Sequence, residues 1–248
     1  MARRAGGLAL VGFGELVAVE LTSVVAIVLA NGREDTGAVV LFNYASVFTS
    51  VSSVLAMSVV TSAFPVLSAR EGPAFDRTSA GSTRAVLLLS WLGTAVIAAI
   101  AIPAAHVLAT QPNQVPQLIQ AFALFAPGIA GTAVITNLSR VMFAIGRLKV
   151  AAAALAGSWL LVIVADVVLA EIVPARLVVA ALALGNTIGQ TLVAIPMVIL
   201  TRRICGRAAV QGVSHAALAG LAAGVAGAAV GVAVSMAHPC ITSSRPLL

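Results

Sequence analysis

The chain has 248 residues, of which 60% are hydrophobic and 9% charged, with a net charge of +6 and a mean hydropathy of +1.10. A soluble domain carries about a quarter charged residues, so this composition excludes one and marks an integral membrane protein. Long uncharged runs rich in Ala, Val, Leu and Gly exclude a membrane β-barrel, whose strands alternate over about ten residues. The basic residues sit singly or in pairs with no aromatic stripe, which excludes nucleic acid as a partner.

About 20 apolar residues suffice to cross the hydrocarbon layer. Seven spans are predicted on that criterion, at 6–30, 37–67, 84–109, 118–145, 149–172, 177–200 and 215–237. The breaks NGREDTG, SAREGPAFDRTSAGSTR, ATQPNQVPQ, AIGRLK, EIVPAR and TRRICGRAAVQG each combine charge with Gly or Pro. The fold class is therefore an all-α, polytopic helix bundle.

The first span opens with Arg3 and Arg4, but Glu15 and Glu20 interrupt its apolar region, so it reads as a retained helix and not as an export signal. Carboxylates at bilayer depth cost about 2.5–3.5 kcal/mol on insertion scales, which makes Glu15, Glu20 and Asp166 of the fifth span candidate functional residues. For Asp166 the alternative is that it reaches interfacial water. Glu15 and Glu20 are about 140° apart around a helix, so they form no paired-carboxylate acid/base site.

In the second span, Asn43, Ser46, Ser50, Ser53, Met57 and Thr61 follow one another at steps of three and four and so share one helix face. Such a stripe faces either water inside a protein or another helix. In the fourth span, Pro127-Gly128 introduces a break in the helix ladder, as does Pro196 in the sixth; both are tolerated only against protein or water. Arg140 ends the fourth span, where it pairs with an acid, holds a headgroup phosphate or anchors the helix end. The seventh span carries Gly220/Gly224 and Gly227/Gly231, small-residue pairs that admit a close partner helix, which this chain need not itself contain.

Alternating the loops across the membrane puts eleven basic residues on one side (Arg3, Arg4, Arg70, Arg77, Arg84, Arg140, Arg147, Lys149, Arg202, Arg203 and Arg207) and three, Arg33, Arg176 and Arg245, on the other. The first side is then cytoplasmic, with the N-terminus inside and the C-terminus external. Cys205 and Cys240 fall on opposite sides and cannot pair. His106, His215 and His238 are scattered, so no metal site is expected, and no nucleophile or acid/base cluster suggests an enzyme.

Two stretches resemble a known family. GAVVLFNYASVFTSVSSVLAMSVVTSAFPVLSAR (37–70) resembles the MurJ/MviN helix that runs from G-x-V-x-x-x-x-Y-A to T-x-x-x-P-x-L-S, through Gly37, Val39, Tyr44, Ala45, Thr61, Pro65, Leu67 and Ser68. FAPGIAGTAVITNLSRVMFAIGRLKVAAAA (125–154) is similar to the family's A-P-G…L-S-R-x-F-Y-A-x-G segment, through Ala126, Pro127, Gly128, Leu138, Ser139, Arg140, Phe143, Ala144 and Gly146. With the matching helix order, the resemblance covers nearly the whole chain.

The resemblance implies a multidrug/oligosaccharidyl-lipid/polysaccharide exporter in which two six-helix lobes rock about a central cavity, and a substrate, lipid II, that is the lipid-linked peptidoglycan precursor of the bacterial cytoplasmic membrane. Residues 1–206 would correspond to the second six-helix lobe, and 207–248 to one additional helix and a short external tail. The first lobe would come from a separate chain, or the chain would act as a homo-oligomer. Asn43, Ser46, Ser50, Ser53 and Thr61 would line the cavity, with Arg140 a headgroup contact or gate. Buried charge and superfamily analogy make Glu15, Glu20 and Asp166 the candidates for coupling to Na+ or H+; no other cofactor is expected. The family usually continues Y-A with D-R, whose arginine is thought to engage pyrophosphate, whereas this chain has Ser46 and Val47. That departure keeps open a non-transporting membrane scaffold. A membrane transferase would need a catalytic cluster at one face, which the loops lack.

Overall fold

The computed structural model describes residues 2–32 and 37–237. The sequence readings made on Arg33, His238, Cys240 and Arg245, and on the side chains of Arg3 and Arg4, lie outside the described residues. The chain is all-α, with α1 (Ala2–Asn31), α2 (Ala38–Ser68), α3 (Gly72–Leu108), α4 (Gln114–Ala144), α5 (Leu148–Ile172), α6 (Val178–Cys205) and α7 (Val213–Ala237). Single 3-10 turns precede α6 and α7, at Ala175–Leu177 and Ala208–Val210. Among the described residues, seven helices are long and apolar enough to cross a membrane. The molecule is a polytopic membrane helix bundle.

Short turns join the helices and reverse their direction. The α4–α5 turn shows how: Gly146 takes φ 77°, its N–H bonds to the Phe143 carbonyl at 3.1 Å, and the Arg147 N–H reaches back to the Met142 carbonyl at 2.8 Å. This is the paired closure that a left-handed glycine permits at a helix end. Since the helices alternate, Arg70, Arg77, Arg84, Arg140, Arg147, Lys149, Arg202, Arg203 and Arg207 gather at one end of the bundle. Arg176 lies at the other.

α4 is the most buried helix and packs against α2, α3, α5 and α6. Near the basic end, Leu67, Leu138, Val141 and Met142 form one apolar cluster; towards the other end Leu41, Ile97, Leu118, Phe122 and Leu182 form a second. Small residues let the backbones come this close. A Cβ added at Gly128 would lie 2.9 Å from the Thr187 hydroxyl, and one at Gly131 would lie 2.9 Å from the Gln190 carbonyl carbon, both on α6. Pro127 interrupts the α4 ladder at this contact, and the neighbouring carbonyls find donors on adjacent helices. Thr94 Oγ1 of α3 donates to the Ala126 carbonyl at 2.8 Å, and Thr187 Oγ1 of α6 donates to the Leu124 carbonyl.

Two sequence expectations are corrected. Residues 72–83 are not a loop: α3 begins at Gly72 and runs unbroken into the membrane span. Pro73 sits in the first turn, where its missing N–H is no loss. Phe75, Ser79, Ala80, Ser82 and Thr83 then form a buried face, anchored by Ser79 Oγ donating to the Ala209 carbonyl at 2.9 Å. The charge and Gly/Pro content that suggested a break is the solvated side of an amphipathic extension.

The second correction concerns α7. Its glycines need no partner outside the chain, because all four lie against α3: Gly220 and Gly224 on the Trp91 ring, Gly227 on Ala95 and Gly231 on Ala99. α1 sits at the opposite edge, packed on α5 and touching α2 only lightly.

Candidate functional site

The sparse α1–α2 contact leaves a cleft of about 360 Å³ whose walls come from α1, α2, α4, α5 and α6. Asn43, Ser46, Thr49, Ser50 and Ser53 of α2 face Thr22 and Ser23 of α1 across it, while Thr132, Trp159, Asp166 and Asn186 line its inner side. Of the residues singled out in the sequence, the fold thus brings Asn43, Ser46, Ser50, Ser53 and Asp166 to one place. Thr61 lies further along α2, exposed and outside the cleft.

The hydroxyls of this cleft are already committed as donors. Ser46 donates to the Asn43 carbonyl at 3.0 Å, Thr49 and Ser50 both donate to the Ser46 carbonyl at 2.8 Å, and Ser53 donates to Thr49 at 3.0 Å. Thr22 does the same with Ala18 at 2.8 Å, and Thr132 with Gly128 at 3.1 Å. Spending each proton on its own helix leaves the oxygen lone pairs free, so these side chains meet a ligand as acceptors. Asp166 adds to that character: it is 2% exposed, and its Oδ1 has no hydrogen-bond partner among the described residues. Among the described residues, no Lys or Arg lines the cleft. Such a lining favours cations and hydroxyl or amide donors over phosphate.

Asp166 keeps its place because α6 is notched beneath it. A Cβ at Gly185 would collide with Asp166 Oδ1, and one turn on, a Cβ at Gly189 would collide with Val162 of the same α5 face. The two glycines let α5 and α6 meet backbone to backbone and hold the carboxyl at the cleft wall.

Glu15, Glu20 and Asp166 are not brought together. Glu20 is exposed on α1 beside the cleft, although its neighbour Val19 lines it. Glu15 is half-buried towards the basic end, where the charge that acts on it is Arg140. The Arg140 guanidinium lies 5.8 Å from the centroid of the Phe64 ring of α2 and 5.7 Å from that of Phe143, both within cation–π range. One arginine of α4 therefore faces α1 and α2 together, below the cleft.

Sequence reading missed Thr22, Thr49, Thr132 and Asn186 as cleft residues. A signal existed for some of them: Asn186 and Gln190 are amides one turn apart inside an apolar span, as are the hydroxyls Thr132 and Thr136.

The family model described as lipid II flippase MurJ matches residues 2–248. The chain belongs to the MurJ family. No curated protein and no solved structure matches it. As a MurJ-family chain it is a membrane transporter component and not an enzyme. The two segments that carried the resemblance are neighbours in space, since α2 packs on α4. The position where the family's pyrophosphate arginine was expected holds Val47, 59% exposed and outside the cleft.

Proposed function

We propose that this chain works as the second lobe of a lipid II flippase, moving the lipid-linked peptidoglycan precursor across the bacterial cytoplasmic membrane by alternating access. The observation that carries the reading is the cleft: a wall of hydroxyl acceptors with one buried carboxyl, that of Asp166, whose Oδ1 has no partner among the described residues, in a chain of the MurJ family. The sugars and peptide of the precursor offer the hydroxyl and amide donors that such a wall recognises. Its phosphates would be held elsewhere, since no Lys or Arg lines the cleft among the described residues. Buried ionisable groups of this kind mark ion or proton sites in transporters, which makes Asp166 the first choice for coupling to Na+ or H+.

The α1–α2 face also supports a partner lobe. Glu20, Asn43, Ser50, Ser58 and Thr61 are all exposed there, and a carboxylate facing hydrocarbon is costly. A second lobe, from another chain or another copy, would enclose these groups in a wet cavity. Arg140, beside Phe64 and Phe143 and opposite Glu15, would close its basic end, which the charge bias makes cytoplasmic. Residues 207–248 would then add a helix outside the six-helix lobe.

The deciding experiment is depletion of the resident flippase in a bacterium, with this chain and its first-lobe partner supplied in trans. Lipid II reaching the outer leaflet, and its loss with Asp166→Asn at unchanged protein level, supports the reading. Val47 favours the alternative, a non-transporting scaffold: full surface expression with no lipid II movement would establish it.

A further inference from the structure

At the end of the bundle opposite the basic cluster, a second pocket of about 620 Å³ lies between the start of α4 and the α5–α6 turn, and it is lined by Asn113, Gln117, Gln120 and Arg176. The turn is short and stiff: Pro174 precedes a 3-10 turn, Ala175–Leu177, that carries Arg176 and is closed by the Leu177 N–H bonding to the Pro174 carbonyl at 2.9 Å. Gln117 is buried, whereas Gln120, about one turn further along α4, is exposed. Among the described residues no carboxylate lines the pocket, and Arg176 is exposed at its rim. An arginine on this side also runs against the charge bias that collects the other described basic side chains at the far end.

We propose that this pocket binds a phosphate oxyanion at the Arg-poor surface of the membrane. The guanidinium offers a planar fork of donors that matches two phosphate oxygens, and neither its charge nor its geometry is matched by lysine. The exposed side-chain amides of Asn113 and Gln120 add N–H donors for the remaining oxygens, and their carbonyl ends accept from hydroxyls on the group esterified to the phosphate. A carboxylate, with only two oxygens, leaves part of this donor set unused. The depth fits a headgroup, because Arg176 belongs to the turn between two membrane-crossing helices. The site is separate from the cleft, shares no residue with it, and does not depend on the transport reading.

Native mass spectrometry of the full chain in detergent, titrated with short-chain phosphatidylglycerol, tests the site. Arg176→Gln should weaken binding of the tightest lipid about tenfold, the effect of losing a charge-assisted pair. Gln120→Leu, at an exposed position that the fold does not need, should weaken it to a smaller extent and keeps the test informative if the arginine variant fails to fold. Arg207→Gln, at the other end, should leave that first binding event unchanged. Displacement of the lipid by inorganic phosphate assigns the site to free phosphate, and resistance to displacement assigns it to a lipid headgroup; both support oxyanion binding. Equal lipid binding by all four proteins overturns the proposal.

Discussion

Asp166 of α5 lies against Gly185 of α6 so closely that no Cβ fits between them. The carboxyl is therefore positioned by an absence of side chain on the facing helix. Gly185→Ala must push the carboxyl away or separate α5 from α6, and overpacking of this kind costs about 1–3 kcal/mol. The expected outcome is a lowered unfolding temperature together with impaired lipid II movement. Asp166→Asn should impair movement as much with no loss of stability, since the carboxyl it replaces has no hydrogen-bond partner on Oδ1 among the described residues. Full transport by Asp166→Asn would remove the carboxylate from the mechanism.

Ser50 is exposed and lines the cleft. In a chain whose own cysteines are replaced by serine, Ser50→Cys should react with small aqueous thiol reagents, because a thiolate must form in water before it reacts. Leu218→Cys, on the exposed apolar side of α7, should stay inert in the same membranes. Equal inertness at both positions would place the hydroxyl stripe in lipid.

Glu20→Gln retains volume and removes charge and proton exchange. If Glu20 faces an inter-lobe cavity, the variant inserts and folds normally, and its transport loses part of the dependence on external pH or sodium. Unaltered transport across both ranges would leave Asp166 as the coupling candidate.

Orientation can be tested without transport. A cysteine at Gln111 and one at Arg202, both exposed and at opposite ends of the bundle, should label differently in intact cells. Membrane-impermeant reagent should reach Gln111→Cys and spare Arg202→Cys; the reverse pattern inverts the assignment.

The α3–α7 seam gives a stability test. Gly227→Leu forces bulk against Ala95, whereas at the exposed Gly12 of α1 an added Cβ meets no atom within 4 Å, so Gly12→Leu has open space. The first should lower the unfolding temperature by the equivalent of about 1–3 kcal/mol, and the second should leave it unchanged.

The seven helices were legible because a span must be about 20 apolar residues long and the turns concentrate charge, glycine and proline. Residues 72–83 were misread for the same reason: periodic burial of Phe75, Ser79 and Ser82 is weak beside the charges of the exposed side. Within the cleft, the α2 stripe announced itself through a sustained period of three and four. Thr22, Thr132 and Asn186 were less legible: each has a polar neighbour within about one turn, Ser23, Thr136 and Gln190, but such short pairs set no period, and only tertiary packing puts the three on one wall. Thr61 shows the converse, a residue that keeps the period of the stripe after the cleft has ended.

The seam between α7 and α3 also has a consequence for biogenesis. The groove side of α3, from Trp91 to Ala99, is completed by a helix that the ribosome makes only after α4, α5 and α6 have been threaded into the bilayer. Until then lipid chains must coat that surface, and the arriving glycine ridge has to strip them off before the Trp91 ring finds its seat. Closure of this lobe is thus a late, long-range docking event, and the stage most exposed to capture by membrane quality control is the one in which α6 is in place and the Trp91 flank is still bare.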